Sequence, residues 1–179
     1  LFRSYSTEEE LIPGWETIQI SGSLAKKLSD TLHPENRFAE VAMPKEAALL
    51  PSPLIAFDAV SDPGNLGTLL RTAAAFGWGG ALFLPGCCDP FNPKVIRASK
   101  GALFTLPFRK LSFSDLEELS QKQKLEILTG DIRGERPETV QRNQIVLILG
   151  NEGQGLSEES KKLGKPIAIP MPGKMESLN

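Results

Sequence analysis

From Leu54 onward the chain alternates between short apolar runs and helix-like segments, and this alternation limits the fold more than any other feature. The runs are Leu54 to Phe57, Ala81 to Leu84, Leu125 to Leu128, Ile145 to Leu149 and Ile167 to Ile169. They show almost no polar alternation, so neither face of a sheet built from them is left to water. Strands of that kind belong to parallel sheets covered by helices on both faces. Between them, Asp62-Pro63 reads as an N-cap with proline at the first helical position, opening a helix that runs to about Phe76 and stops at Gly77. Asn92-Pro93 caps a short helix ending near Gly101, and Leu103 to Phe108 is expected to be extended. Ser114-Asp115-Leu116-Glu117 reads as a capping box for a third helix, and Ser157 to Leu163 as a last one before Gly164. The fold class is α/β, a parallel sheet with helices on both faces.

Upstream, Ser23 to Leu32 reads as helical and Phe38 to Met43 as extended. Leu50-Pro51-Ser52-Pro53 punctuates like a linker, which divides the chain into 1–50 and 51–179. The first residue is not Met, and the last follows a strand-like run without a polar tail, so the sequence reads as a piece of a longer protein, incomplete at its C-terminal end. No apolar run approaches a membrane span. Cys87 and Cys88 are adjacent and lack metal-ligand spacing, and the lone His33 lies in a polar stretch. A reducing compartment follows, cytoplasmic or organellar. The net charge of −2 hides an asymmetry: Lys94, Arg97, Lys100, Arg109 and Lys110 fall between Phe91 and Ser114 with no acidic residue among them. That stretch is either a phosphate footprint or a solvated face.

Ligands of open α/β sheets bind beyond the carboxyl ends of the strands. Three such ends stand out. One is Asp58 to Gly67, leading into a helix that carries Arg71 among small residues (Gly67, Thr68, Ala74 and Ala75). The guanidinium there has room to reach a ligand, or else pairs with Asp58 or Asp62. The second is Gly150-Asn151-Glu152-Gly153-Gln154-Gly155, which has neither the dinucleotide fingerprint nor the lysine of a P-loop. Its glycines permit close approach of a ligand to exposed amides, or simply a tight turn. The third, Ile169-Pro170-Met171-Pro172-Gly173 continuing to Ser177-Leu178-Asn179, is a stiff loop whose backbone groups are not consumed by a sheet.

In this order, the three segments resemble the three motifs of the SpoU (TrmH-like) family of SPOUT-class RNA 2′-O-ribose methyltransferases. The match rests on Asp62-Pro63-Gly64-Asn65-Leu66-Gly67 with Arg71 and Ala73, on Gly150-Asn151-Glu152-Gly153 with Gly155, and on Ile169-Pro170-Met171 with Gly173 and Ser177-Leu178-Asn179. It covers roughly Pro53 to Asn179, and Ser99 to Phe104 resembles the family's segment between the first two motifs. Ser21 to Met43 more loosely resembles the end of the ribosomal-protein-like RNA substrate-binding domain that often precedes the catalytic one.

The resemblance implies methyl transfer from S-adenosylmethionine to a ribose 2′-hydroxyl of tRNA or rRNA. It assigns Asn65, Arg71, Glu152, Ser177 and Asn179 to catalysis, with Arg71 at the target ribose and its phosphate. A guanidinium stays protonated, so Arg71 either accepts the proton with help from a phosphate or, as the chemistry favours, orients the nucleophile. Asn65 and Glu152 hold arginine and substrate in place. Gly150, Ile169 and Leu178, with Leu128, Gly130 and Met171, are implied to contact the cofactor. Lys94, Arg97 and Lys100, three apart on one short helix, become candidate RNA contacts. A trefoil knot closed beyond Asn179 and a homodimer are implied too. Other readings are a non-catalytic RNA-binding module, a base methyltransferase of a related branch, or a nucleotide-binding enzyme holding phosphate on the Gly150 loop.

Overall fold

The computed structural model describes residues 3–7, 13–29, 37–137 and 144–170, and the chain divides into two compact units, Leu1–Lys45 and Glu46–Asn179. In the first, strand β1 (Arg3–Ser6) pairs parallel with β2 (Glu16–Gln19) and antiparallel with β3 (Arg37–Glu40). Helix α1 (Gly22–Ser29) follows β2 in sequence. The stretch predicted as extended to Met43 closes at Glu40. His33 and the predicted last turn of the helix lie outside the described residues.

The second unit begins ahead of the proline-rich punctuation. The Ala47 amide donates to the Phe108 carbonyl at 2.9 Å, the Glu46 carboxylate accepts from the Lys110 amide at 3.2 Å, and Leu50 is buried. Its six strands are β4 (Leu54–Phe57), β5 (Gly80–Phe83), β6 (Phe108–Lys110), β7 (Glu126–Glu135), β8 (Ile145–Leu149) and β9 (Lys165–Ile167). They lie in the order β6-β5-β4-β8-β7-β9 and every pairing is parallel. The helices are α2 (Pro63–Ala75), α3 (Pro93–Ser99), α4 (Ala102–Thr105), α5 (Phe113–Gln123) and α6 (Glu158–Leu163).

Because side chains alternate across a strand, β4 feeds two cores at once. Ile55 and Phe57 join Leu66, Leu70 and Ala73 of α2, Val95 of α3 and Leu103 of α4. Leu54 and Ala56 join Val146 and Ile148 of β8 with Leu116 of α5 and Leu156. This double burial is the reason the run has no polar position. Burying one such leucine contributes roughly 1.5–3 kcal/mol. Among the described residues, no helix is long and apolar enough to cross a membrane.

Three local expectations are corrected. Leu103 to Phe108 is not one extended stretch: α4 occupies Ala102–Thr105, then β6 starts at Phe108. Leu103 and Leu106 are three apart and both buried, a helical spacing, and Pro107 bars its continuation. The capping box is built by Ser112 with Asp115, not by Ser114 with Glu117; Ser114 lies inside the first turn of α5. Strand β7 also outlasts its predicted end at Leu128, and Gly130 and Glu135 both pair with Ile167 around a bulge.

Helices α2 and α3 touch where α2 has no side chain. A Cβ at Gly67 would stand 2.5 Å from the Ala98 Cβ and 2.7 Å from the Val95 carbonyl oxygen. Gly67→Ala is therefore expected to destabilise the protein by about 1–3 kcal/mol, overriding alanine's better helix propensity. Urea unfolding measures this, and an unchanged or higher midpoint would contradict the close contact.

Candidate active site

Strands β4 and β8 are neighbours, with Phe57 opposite Leu149, so the loops leaving them emerge side by side at the carboxyl edge. Asp58, the first residue past β4, is 1 % exposed, and its Oδ2 accepts from the backbone amide and hydroxyl of Ser157 at 2.7 and 2.8 Å. A buried carboxylate needs such donors, and here they also anchor the start of α6.

Asn151 ties the same loops from the other side. Its Nδ2 donates to the Ala59 carbonyl at 2.9 Å and to the Ser61 hydroxyl at 3.1 Å. Its Oδ1 accepts from the amides of Gly153 and Gln154 at 2.9 and 3.0 Å. Its backbone exchanges two hydrogen bonds with Gly155, at 2.9 and 2.8 Å. The turn so formed carries Glu152, whose Oε1 accepts from the Asn65 Nδ2 at 2.9 Å. Asp58 and Asn151 join the site without a role assigned by any motif; their signal in the sequence is a polar pair flanking the ends of two apolar runs.

Gly150 is required by the loop's own packing. A Cβ on Gly150 would come within 2.5 Å of the Gly155 carbonyl oxygen. The amides of Asn151, Gly153, Gln154 and Gly155 all donate within the turn, so they are not displayed to a phosphate. That arrangement removes the physical basis for a nucleotide triphosphate held on the Gly150 loop.

Arg71 is exposed on α2 and has no hydrogen bond or ion pair among the described residues. It pairs with neither acidic candidate: Asp58 is taken by Ser157, and Asp62 caps α2 through the Asn65 amide at 2.8 Å while meeting Lys94 Nζ at 3.4 Å. Nor does Glu152 hold the guanidinium; its contact is the Asn65 amide. The small residues around Arg71 divide in role, since Gly67 is buried against α3 while Thr68 and Ala75 share the exposed side.

Past β4 and β8, the carboxyl edge continues through β7 and β9. Leu128 is buried and two residues short of the exposed Gly130, which stands opposite Ile167. A Cβ on Gly130 would meet the Leu149 side chain at 3.1 Å, and Ile169 is 70 % exposed. Gly130 lies within β7 where its register against β9 is interrupted, Gly150 directly follows β8, and Ile169 comes two residues after β9. Met171, Ser177, Leu178 and Asn179 lie outside the described residues, as does the chain in which a knot would close.

Lys94, Arg97 and Lys100 are all exposed, but α3 ends at Ser99 and Lys100 caps it in the left-handed region at φ 50°. The stripe on one helix is therefore Lys94 and Arg97, with Lys100 turned off its axis. Lys110 faces Asp89 at 4.0 Å. Cys87 and Cys88 are free thiols, and burial pushes Cys87 up to about 11, so it stays protonated and inert at neutral pH.

Asp62 is held below the usual carboxylate range, first by the Asn65 amide and then by Lys94. A lowered native value stabilises the fold above the unfolded carboxylate range near about 4 and stops doing so as pH falls through the native value. The thermal-stability lead of the wild type over Asp62→Asn should thus be present at neutral pH and vanish in acid. A lead that persists at low pH would exclude this ionic origin.

The geometry defines an α/β domain with a polar site assembled on the carboxyl edge of a parallel sheet by the loops that leave β4 and β8. Residues 52–179 match the model of the SpoU rRNA methylase family, and the chain belongs to that family. It is 34% identical over 178 residues to an uncharacterised tRNA/rRNA methyltransferase of Synechocystis, covering 89% of this chain and 61% of that protein. It is 29% identical to the 23S rRNA guanosine 2′-O-methyltransferase RlmP of Bacillus subtilis, covering 95% of this chain and 70% of the relative. The crystal structure of the SpoU methyltransferase AviRb from Streptomyces viridochromogenes, in complex with AdoMet, superposes with a TM-score of 0.84 at 24% identity, over 100% of this chain and 77% of that one. The chain thus spans from about three-fifths to three-quarters of the proteins it resembles here.

Proposed function

We propose that the second unit is the catalytic part of an S-adenosylmethionine-dependent methyltransferase acting on a ribose 2′-hydroxyl of rRNA or tRNA. The observation that carries this reading is the 2.9 Å hydrogen bond between Asn65 and Glu152, which joins the first and second motifs across 87 residues of chain. The pair stands at the strand ends of the first two motifs, and Arg71, six residues on from Asn65 along α2, has no hydrogen bond or ion pair among the described residues, which supports a catalytic use for the set.

The edge past β7, β8 and β9 fits the cofactor. Gly130 lies exposed beside the Leu149 side chain, Ile169 offers an apolar face, and backbone groups at the strand ends suit the edge of a purine. Gly130, Gly150 and Ile169 would hold it together with Met171 and Leu178, while Leu128, buried by its side chain, would contribute backbone alone. When bound, the cofactor supplies a methyl group on a sulfonium centre. The protein's task is to bring the 2′-oxygen into line with that group and to see its proton away, steps governed by positioning and general-base assistance.

Arg71, without a hydrogen bond or ion pair among the described residues, orients the ribose and adjoining phosphate by charge-assisted hydrogen bonds. Asn65, oriented by Glu152, completes the nucleophile's surroundings, with Ser177 and Asn179 assigned alongside. Lys94, Arg97 and Lys100 approach RNA phosphates, Lys94 by exchanging its Asp62 contact. The first unit is read as part of an RNA substrate-binding domain, and the whole protein as a homodimer in a reducing compartment, cytoplasmic or organellar.

The test uses the full-length protein with labelled cofactor and total RNA. Arg71→Ala and Glu152→Gln are each expected to lower transfer by about 10²-fold or more with unchanged circular dichroism, and Arg71→Lys not to restore it. Absence of cofactor binding by calorimetry would sink the enzyme reading in favour of an RNA-binding module. Mass spectrometry placing the methyl group on a base would replace ribose by base chemistry.

A further inference from the structure

We propose that Asn151 is a positioning residue for the methyl-transfer site, locking the turn that presents Glu152 to Asn65. The proposal rests on the functional reading above for its consequence in catalysis, while the positioning itself stands on geometry.

A primary amide has two N–H donors and a carbonyl oxygen with two lone pairs. Asn151 uses all four, donating to the Ala59 carbonyl and the Ser61 hydroxyl and accepting from the Gly153 and Gln154 amides. The assignment of its oxygen and nitrogen is forced by these partners, because a reversed amide would set N–H groups against two amides and oxygen against a carbonyl. One side chain therefore joins the loop before α2 to the loop after β8. The paired hydrogen bonds with Gly155 fix its backbone as well.

Glu152 is the next residue, exposed, with a flexible side chain. Its one hydrogen bond among the described residues, with Asn65, is weak by itself, so the pair persists only if the backbone from which Glu152 springs is already aimed. Ala59 adds weight to this argument. It sits in the left-handed region at φ 53°, which a residue with a Cβ rarely adopts, and its carbonyl is the acceptor that Asn151 holds. Ser61 leads directly to Asp62, whose side chain caps the helix bearing Asn65. Both partners of the Asn65–Glu152 pair thus take their placement from loops that Asn151 clamps together.

Asparagine alone can do this. Aspartate matches it in shape and still accepts from the two turn amides, but it sets a charged oxygen against the Ala59 carbonyl and loses the bridge. Asn151→Asp is accordingly the informative variant.

The experiment measures methyl transfer by full-length Asn151→Asp, Glu152→Gln and the double variant, together with the Asn65 side-chain amide signals in the free protein by NMR. A fall in kcat of roughly 10–100-fold is expected, with KM for RNA and for S-adenosylmethionine within about threefold, as for a displaced reacting group. In the Glu152→Gln background the change should cost little more, since the group it aims is already lost. The Asn65 signals should move toward their positions in Glu152→Gln. Unchanged kcat, losses that multiply in the double variant, or unmoved Asn65 signals would overturn the proposal. If Asn151→Asp does not fold, Asn151→Ser, which keeps an acceptor but cannot reach across to Ala59, carries the same readouts. Wild-type protein that methylates no RNA defeats the functional reading, and the NMR comparison still decides whether Asn151 aims Glu152.

Discussion

The second unit depends on the adjacency of two strands far apart in sequence. Parallel pairing of β4 with β8, Phe57 opposite Leu149, is the contact from which everything at the carboxyl edge takes its place. It brings Asp58 within reach of Ser157 and Asn151 within reach of Ala59 and Ser61. Neither polar contact could draw the loops together from a distance, because each contributes little beyond what water would offer. The hydrophobic sheet supplies the driving force, and the polar contacts then select one arrangement of the loops. Function is placed where the first kind of interaction hands over to the second.

Much of this architecture was legible in the sequence because burial on both faces writes an unambiguous pattern. The bounds of β4 and β8 coincide with their apolar runs, and Asp62-Pro63 marks the start of α2 to the residue. Where the pattern has two readings, the fold takes the one that local spacing alone does not single out. Leu103 and Leu106 satisfy helix and strand alike in a short stretch, and two serines two positions apart each offer a capping box. Which serine caps depends on the apolar face α5 must turn inward, and that is settled by its neighbours in the core.

The candidate site was legible to a different degree. Motif order placed Asn65 and Glu152 at strand ends, but their mutual contact could not be read without knowing that β4 and β8 are neighbours. The expected carboxylate–guanidinium pair gave way to an amide–carboxylate pair for the same reason. Asn151 escaped notice because its importance lies in four simultaneous partners, three of them backbone groups that leave no trace in residue type. Gly150 beside it also has a local role that residue type does not reveal, since a Cβ there would collide with the Gly155 carbonyl and keep the turn from closing on itself.

Gly67 acts as a gauge. With no side chain between them, α2 and α3 approach until backbone meets backbone, and this sets the spacing of the helix positions from which Arg71 on one and Lys94 and Arg97 on the other extend. A polyanion laid over these helices would find positive charge rooted at set intervals. Lys100, displaced by its left-handed cap, breaks that interval.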